Sequence, residues 1–212
     1  METTILHGTP RTELGKKATR ALRKAGNVPC NLYGGDKNYN FYAPLHEFRK
    51  LIYTPELRVA EIHLNGQVHR AILKETQFEP VKDTMLHADF QELREDVKVK
   101  VSIPLRLKGT PKGASAGGKL EQVVRRLQVV ALPKDLVSYL EFDVSGMDLG
   151  AISRVRDLQA FYPNLTFLLS GANPIARVSV PRAAKEEAAA APAAAAPAAP
   201  APAAAKPEEK KK

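Results

Sequence analysis

The stretch from Arg58 to Leu73 leaves little freedom. Arg58–Leu64 and Gln67–Leu73 both alternate apolar with polar residues, and Asn65-Gly66 stands between them. Alternation with a period of two puts one face of a strand toward a core and the other toward water. Asn-Gly accepts the two positive φ angles of a type I′ turn, whose twist matches that of paired strands. An antiparallel hairpin is therefore predicted, and the rest of the chain must supply strands to cover it. No strand–helix–strand rhythm runs through the sequence, so a parallel doubly wound sheet is not expected.

Other segments extend the pattern. A strand ending at Tyr33 precedes Gly34-Gly35, and further strands fall near Tyr39–Ala43 and in LHADF, Leu86–Phe90. The stretch from Gln77 to that strand, with Pro80, reads as a loop. Pro44 can begin a helix whose apolar face is Leu45, Phe48, Leu51 and Ile52. Val97–Leu107 alternates over a long strand, where Pro104 implies an edge or a bulge. Short strands follow at Leu120–Val124, Leu127–Ala131, Tyr139–Val144, Leu165–Leu169 and Ile175–Val180. These features divide the chain into a mixed domain over 1–93, an all-β second domain over 94–183 and a tail over 184–212. The tail is almost wholly Ala, Pro, Lys and Glu, which cannot bury enough surface to offset the entropy of ordering. It is expected to be disordered and dispensable for binding.

One helix carries the chemistry. Arg11–Tyr33 holds Arg11, Lys16, Lys17, Arg20, Arg23 and Lys24 against the single acid Glu13. Ala18, Ala21, Leu22 and Ala25 form an apolar stripe, and the cations occupy the remaining arc. Gly26 can end the helix in the left-handed region, and Pro29 prevents a restart. Such a helix suits a backbone of phosphates, although a merely solvated face has the same pattern.

The chain has a formal net charge of +9. That balance favours a polyanionic partner, and no apolar run approaches a membrane span. With no secretory leader at Met1–Thr4 and a single cysteine, a cytoplasmic protein is expected. Cys30 reads as core filler. Gly15–Thr19, GKKAT, fails as a phosphate-binding loop because the upstream glycine spacing is wrong and Lys17 replaces the hydroxyl residue. GTPKGASAGGKL, Gly109–Leu120, reads as a flexible connection between strands. His87 and Asp89 share a strand face, where a structural hydrogen-bonded pair is the default. His63 and His69 lack the spacing of a metal set. No cofactor motif and no activated nucleophile is found, so an enzyme is not expected.

Three motifs in order carry a resemblance. The pattern R-x₃-G-K-x₂-[ST]-R-x-L-R-x₂-G-x-x-P-x₃-Y-G from Arg11 to Gly34, then LHADF, then GTPKGASAGGKL, resembles a bacterial family of large-subunit ribosomal proteins that binds 5S rRNA. The family is conventionally numbered twenty-five, and its long form is also called general stress protein Ctc. DVSGMDLG, Asp143–Gly150, is similar to the second domain of that form. The resemblance implies a mainly β fold: a small N-terminal β-barrel with helices that grips the loop-E region of 5S rRNA, and an all-β C-terminal domain. It implies no cofactor, and the large ribosomal subunit as the assembly. Carried over by position, Arg11, Lys16, Arg20, Arg23, Tyr33, His87 and Asp89 would face RNA. Where some relatives are strongly basic after Gln77, this chain reads Phe78-Glu79-Pro80-Val81. An adaptor that binds RNA only under stress is the alternative reading.

Overall fold

The computed structural model describes residues 1–179, and the tail lies outside them. The N-terminal half contains β1 (Thr3–His7), β2 (Thr9–Pro10), α1 (Lys16–Lys24), β3 (Asn27–Tyr33), β4 (Tyr39–Pro44), α2 (Arg49–Ile52), β5 (Val59–Leu64), β6 (Gln67–Phe78) and β7 (Met85–Glu92). They form one sheet in the order β1-β5-β6-β7-β3-β4-β2.

The two edges of that sheet are consecutive in the chain. β1 runs parallel to β5 at one edge, and β2 runs antiparallel to β4 at the other. Only Gly8 separates them, so the sheet must curl until its edges meet, and a barrel results. The curl brings the two edge strands together at one end instead of leaving them far apart. The Gly8 N–H donates to the His63 carbonyl at 3.1 Å, which continues the β1–β5 pairing into the crossing. A Cβ on Gly8 would lie 2.5 Å from a Leu64 methyl and 2.8 Å from the Phe41 ring, so glycine is required there for space.

Alternation then sorts the side chains. Leu6, Cys30, Leu32, Phe41, Ala60, Ile62, Ala71, Ala88 and Phe90 point inward, and Phe48 and Leu51 complete the core. The predicted hairpin is present as β5–β6, with Asn65 at φ 50° and Gly66 at φ 81°, the two positive angles of a type I′ turn. Cys30 is fully buried. Burial pushes its thiol far above the usual range, which fits a packing role.

Three local expectations are corrected. β6 extends to Phe78 and β7 begins at Met85, so the loop predicted from Gln77 shrinks to Glu79–Thr84. Local hairpin pairing of Gln77 with His87 and of Phe78 with Met85 lengthens both strands, and Pro80 stays in the short turn between them. Pro44 stays extended at ψ 138° and caps a 3-10 turn, Leu45–Phe48, that leads into α2. Along α1, only Ala18, Thr19 and Leu22 are half-buried, while Ala21 and Ala25 are exposed. The helix lies on the outside of the barrel beside β3, and its methyl groups are too short to reach a core.

The second half contains β8 (Val99–Lys108), α3 (Lys112–Ser115), β9 (Lys119–Gln122), β10 (Arg126–Ala131), β11 (Leu140–Asp143), β12 (Ile152–Arg154), α4 (Val155–Phe161), β13 (Thr166–Phe167) and β14 (Pro174–Ser179). Two sheets, ordered β11-β8-β10-β13 and β12-β14-β9, enclose a separate core of Val99, Ile103, Leu127, Leu140, Leu158 and Ile175, among others. β8 is not an edge. It pairs with β10 through Pro104 and with β11 from Leu105 onward, so the proline sits where one partner hands over to the other.

The Gly-rich connection is packed rather than loose. The N–H of Gly113 donates to the Met147 carbonyl at 2.9 Å, and a Cβ there would meet the Asp148–Leu149 backbone at 2.7 Å. Ile72 joins the two halves. It is on the outer side of β6, opposite Ala71 and Leu73, yet it is 1 % exposed because it packs into the second core with Leu57 and Leu93.

Candidate RNA-binding face

The outer wall of the barrel is built from rows of side chains across neighbouring strands. Cα partners in adjacent strands point to the same face. Glu75 is opposite Asp89, Asp89 is opposite Asn31, and Asn31 is opposite Asn40. One polar row therefore crosses β6, β7, β3 and β4. A second row runs from Tyr33 through Gln91 to Ile72. His87 is opposite Gln77, beyond the polar row.

Tyr33, His87 and Asp89 are thus brought onto one wall by two parallel strands. The His87 Nδ1 and Asp89 Oδ1 are 3.5 Å apart, and both side chains are partly exposed. Tyr33 is 37 % exposed just before the left-handed Gly34, φ 92°. Burial first, then the Asp89 and Glu75 carboxylates, push its phenol above the usual range. It therefore keeps its proton, and can donate, at neutral pH. Asn31 Oδ1 is buried with no hydrogen-bond partner among the described residues. A buried acceptor of this kind costs free energy until something donates to it.

The cations surround this wall in different ways. Lys16 and Arg20, with Lys17 and Lys24, line a shallow open depression along α1 whose floor is Ala21. The exposed alanine lets a ligand approach the helix between the charges. Arg23 is already engaged: its Nε donates to the Leu86 carbonyl at 3.0 Å and ties α1 to β7 one residue before His87. Arg11 stands at the β2 end of the polar row, because Pro10 is opposite Phe41 and the residue after it falls beside Asn40. It follows β2, and its N–H donates to Asn40 O at 3.0 Å. With β4 between them, β2 is about 10 Å from β3 at ordinary strand spacing. The Arg11 Nε and Nη1 are buried without partners among the described residues.

Sequence reasoning missed Asn31, Asn40, Glu75 and Gln91. Period-two alternation would place Asn31 with Tyr33, but the cross-strand neighbours depend on register, which no local pattern reveals. His69 also differs from a mere hairpin flank. Its Nδ1 is 2.7 Å from Glu92 Oε1, and its ring is 5.0 Å from that of Tyr39. Among the described residues no His, Cys, Asp and Glu cluster could hold a metal ion, and no helix is long and apolar enough to cross a membrane.

Two family models match the chain. Residues 6–90 match the Ribosomal L25p family, and residues 98–182 match the C-terminal domain of ribosomal protein TL5. The large ribosomal subunit protein bL25 of Cytophaga hutchinsonii is 38 % identical over 180 residues, which cover 85 % of this chain and 93 % of that protein. The bL25 proteins of Amoebophilus asiaticus and Phocaeicola vulgatus are each 37 % identical, over 185 and 192 residues, covering 87 % of this chain and 93 % and 96 % of theirs. All three relatives are components of the large ribosomal subunit by name. The chain belongs to the L25 family of large-subunit ribosomal proteins, in the form that carries a TL5-type C-terminal domain.

Proposed function

We propose that this protein is a structural component of the large ribosomal subunit that binds 5S rRNA, at its loop-E region, through the outer wall of the barrel and helix α1. The polar row Glu75–Asp89–Asn31–Asn40, flanked by a cationic helix, is the observation that carries the reading. An RNA duplex presents 2′-hydroxyls and base edges in a wide, shallow minor groove, and an internal loop distorts that groove. A wall of amides and carboxylates can accept and donate there, while lysines and arginines nearby hold the backbone. The RNA-facing set is then Lys16, Arg20, Tyr33, His87 and Asp89, with Arg11 at the margin and Arg23 placing the helix. The test is electrophoretic binding of the whole chain to 5S rRNA against the same RNA with loop E replaced by regular duplex. Tight binding only to the former supports the reading, and equal binding to both removes it.

The two kinds of residue should fail differently. Lys16→Ala or Arg20→Ala should weaken binding to many RNAs alike. Each should also reduce the log–log salt slope by about one unit at most, as for loss of one phosphate contact. A salt series by fluorescence anisotropy measures this. A variant that keeps the wild-type slope would place that residue away from the backbone.

We also infer that residues 1–93 fold and bind 5S rRNA without the second domain, because the barrel encloses its own core. The fragment should show β structure by circular dichroism. It should melt below the whole chain, since Ile72, Leu57 and Leu93 lose their cover. Exposing one buried aliphatic side chain costs about 1.5–3 kcal/mol. An unfolded fragment would overturn the division.

A further inference from the structure

A cleft of about 360 Å³ opens where the barrel meets the second domain. Lys74 and Thr76 of β6 line one wall. Lys100 and Ser102 of β8 with Arg126 and Gln128 of β10 line the other. The second wall follows from register: Ser102 is opposite Gln128 and Pro104 opposite Arg126, so these polar residues share the face turned away from the Val99–Ile103 core. Two more ionic groups reach the cleft and are already matched. Glu56 pairs with Arg106 at 2.8 Å, and Arg58 pairs with Glu2 at 2.5 Å. Lys74, Lys100 and Arg126 have no carboxylate within 4 Å among the described residues. Lys74 donates instead to the backbone carbonyl of Lys100.

Three cations from two domains therefore converge on one recess with hydroxyl and amide groups between them. Like charges held this close repel, and the repulsion acts across the seam. Burial, then the neighbouring Lys100 charge, pull the Lys74 ammonium below the usual lysine range. A small anion with several acceptor oxygens would relieve this strain and use the Ser102 and Gln128 donors as well. A carboxylate offers two oxygens, whereas a phosphate presents oxygens to both walls at once.

We propose that this seam cleft is a phosphate site, distinct from the outer wall described above. The phosphate is either that of an RNA backbone or a free phosphate group, and the anion fastens the second domain to the barrel. The first source rests on the RNA-binding reading, and the second does not.

The whole chain is used, as wild type, as K100A/R126A, and as K98A/K119A, a control that removes two exposed cations outside the cleft. In the first arm, melting is followed in sodium pyrophosphate and in sodium chloride of equal ionic strength. Pyrophosphate should raise the midpoint of the wild type and the control by several degrees more than chloride, and should lose that advantage with K100A/R126A. In the second arm, 5S rRNA binding is measured over a salt series. Occupation by one phosphate of the RNA backbone should appear as a slope lower by about 0.7–0.9 unit for K100A/R126A than for the control. A pyrophosphate response with an unchanged slope assigns the cleft to free phosphate, and a changed slope assigns it to RNA. Equal behaviour of the two double variants in both arms overturns the site. If the wild type does not bind 5S rRNA, the function proposed above fails, and the pyrophosphate arm still judges the cleft.

Discussion

Gly8→Ala should lower the melting midpoint of the protein by on the order of 10 °C, and Gly8→Val by more. The added methyl must enter a space bounded by Leu64 at 2.5 Å and Phe41 at 2.8 Å. Leu64 can give some way because the contact is with the end of its side chain. Phe41 cannot, because its ring is fully buried and packs against Phe90 at 6.0 Å between centroids. Overpacking of this kind costs about 1–3 kcal/mol. In a domain of this size each kcal/mol shifts the midpoint by about 4–8 °C. Calorimetry on the whole chain checks the magnitude. An alanine variant that melts with the wild type would show that the crossing tolerates a side chain and that closure does not depend on glycine.

Asp89→Asn should weaken 5S rRNA binding about tenfold or more, while leaving the melting curve close to wild type. Charge alone predicts the reverse, because removing a carboxylate from the wall proposed to meet RNA relieves repulsion. The expectation rests on hydrogen bonding. Asp89 is in the middle of the polar row, between Glu75 and Asn31, with His87 Nδ1 at 3.5 Å. An ionised carboxylate only accepts, and it can hold a 2′-hydroxyl or orient the neighbouring imidazole through an N–H. Asparagine turns half of that acceptor into a donor. A charge-assisted hydrogen bond is worth about 1.5–3 kcal/mol, and 1.4 kcal/mol is a factor of ten in affinity. Titration of the variant against 5S rRNA at fixed salt, with thermal melting in parallel, decides the matter. A folded variant that binds as well as wild type would remove Asp89 from the interface.

The parts of this fold that could be read in the sequence are those that local chemistry determines. The β5–β6 hairpin is written in alternation and in Asn65-Gly66. The end of α1 is written in Gly26, which adopts φ 79°. His87 and Asp89 share a face because strands have a period of two. What could not be read depends on which strands meet. Gly8 looks like any loop glycine until Leu64 and Phe41 are seen on either side of it. Pro104 resembles an edge marker because the change of partner from β10 to β11 is a tertiary fact. Ile72 fits the alternation of β6 in either direction, and only the second domain explains why an aliphatic residue faces outward. Arg23 belongs with the other cations by helical spacing, yet a carbonyl 63 residues away takes its Nε.

The placement of β1 and β2 also has a kinetic meaning. The strand that seals the barrel, β1, is synthesised before its partner β5. Thr3 must wait for Val59, and Cys30 in β3 must wait for Ala88 in β7. Hardly any of the barrel can be completed until roughly the ninetieth residue has emerged. Structures dominated by such distant pairings fold in milliseconds to seconds rather than microseconds. During that interval the basic α1 segment is already exposed, so the RNA contact proposed above could begin before the barrel has shut.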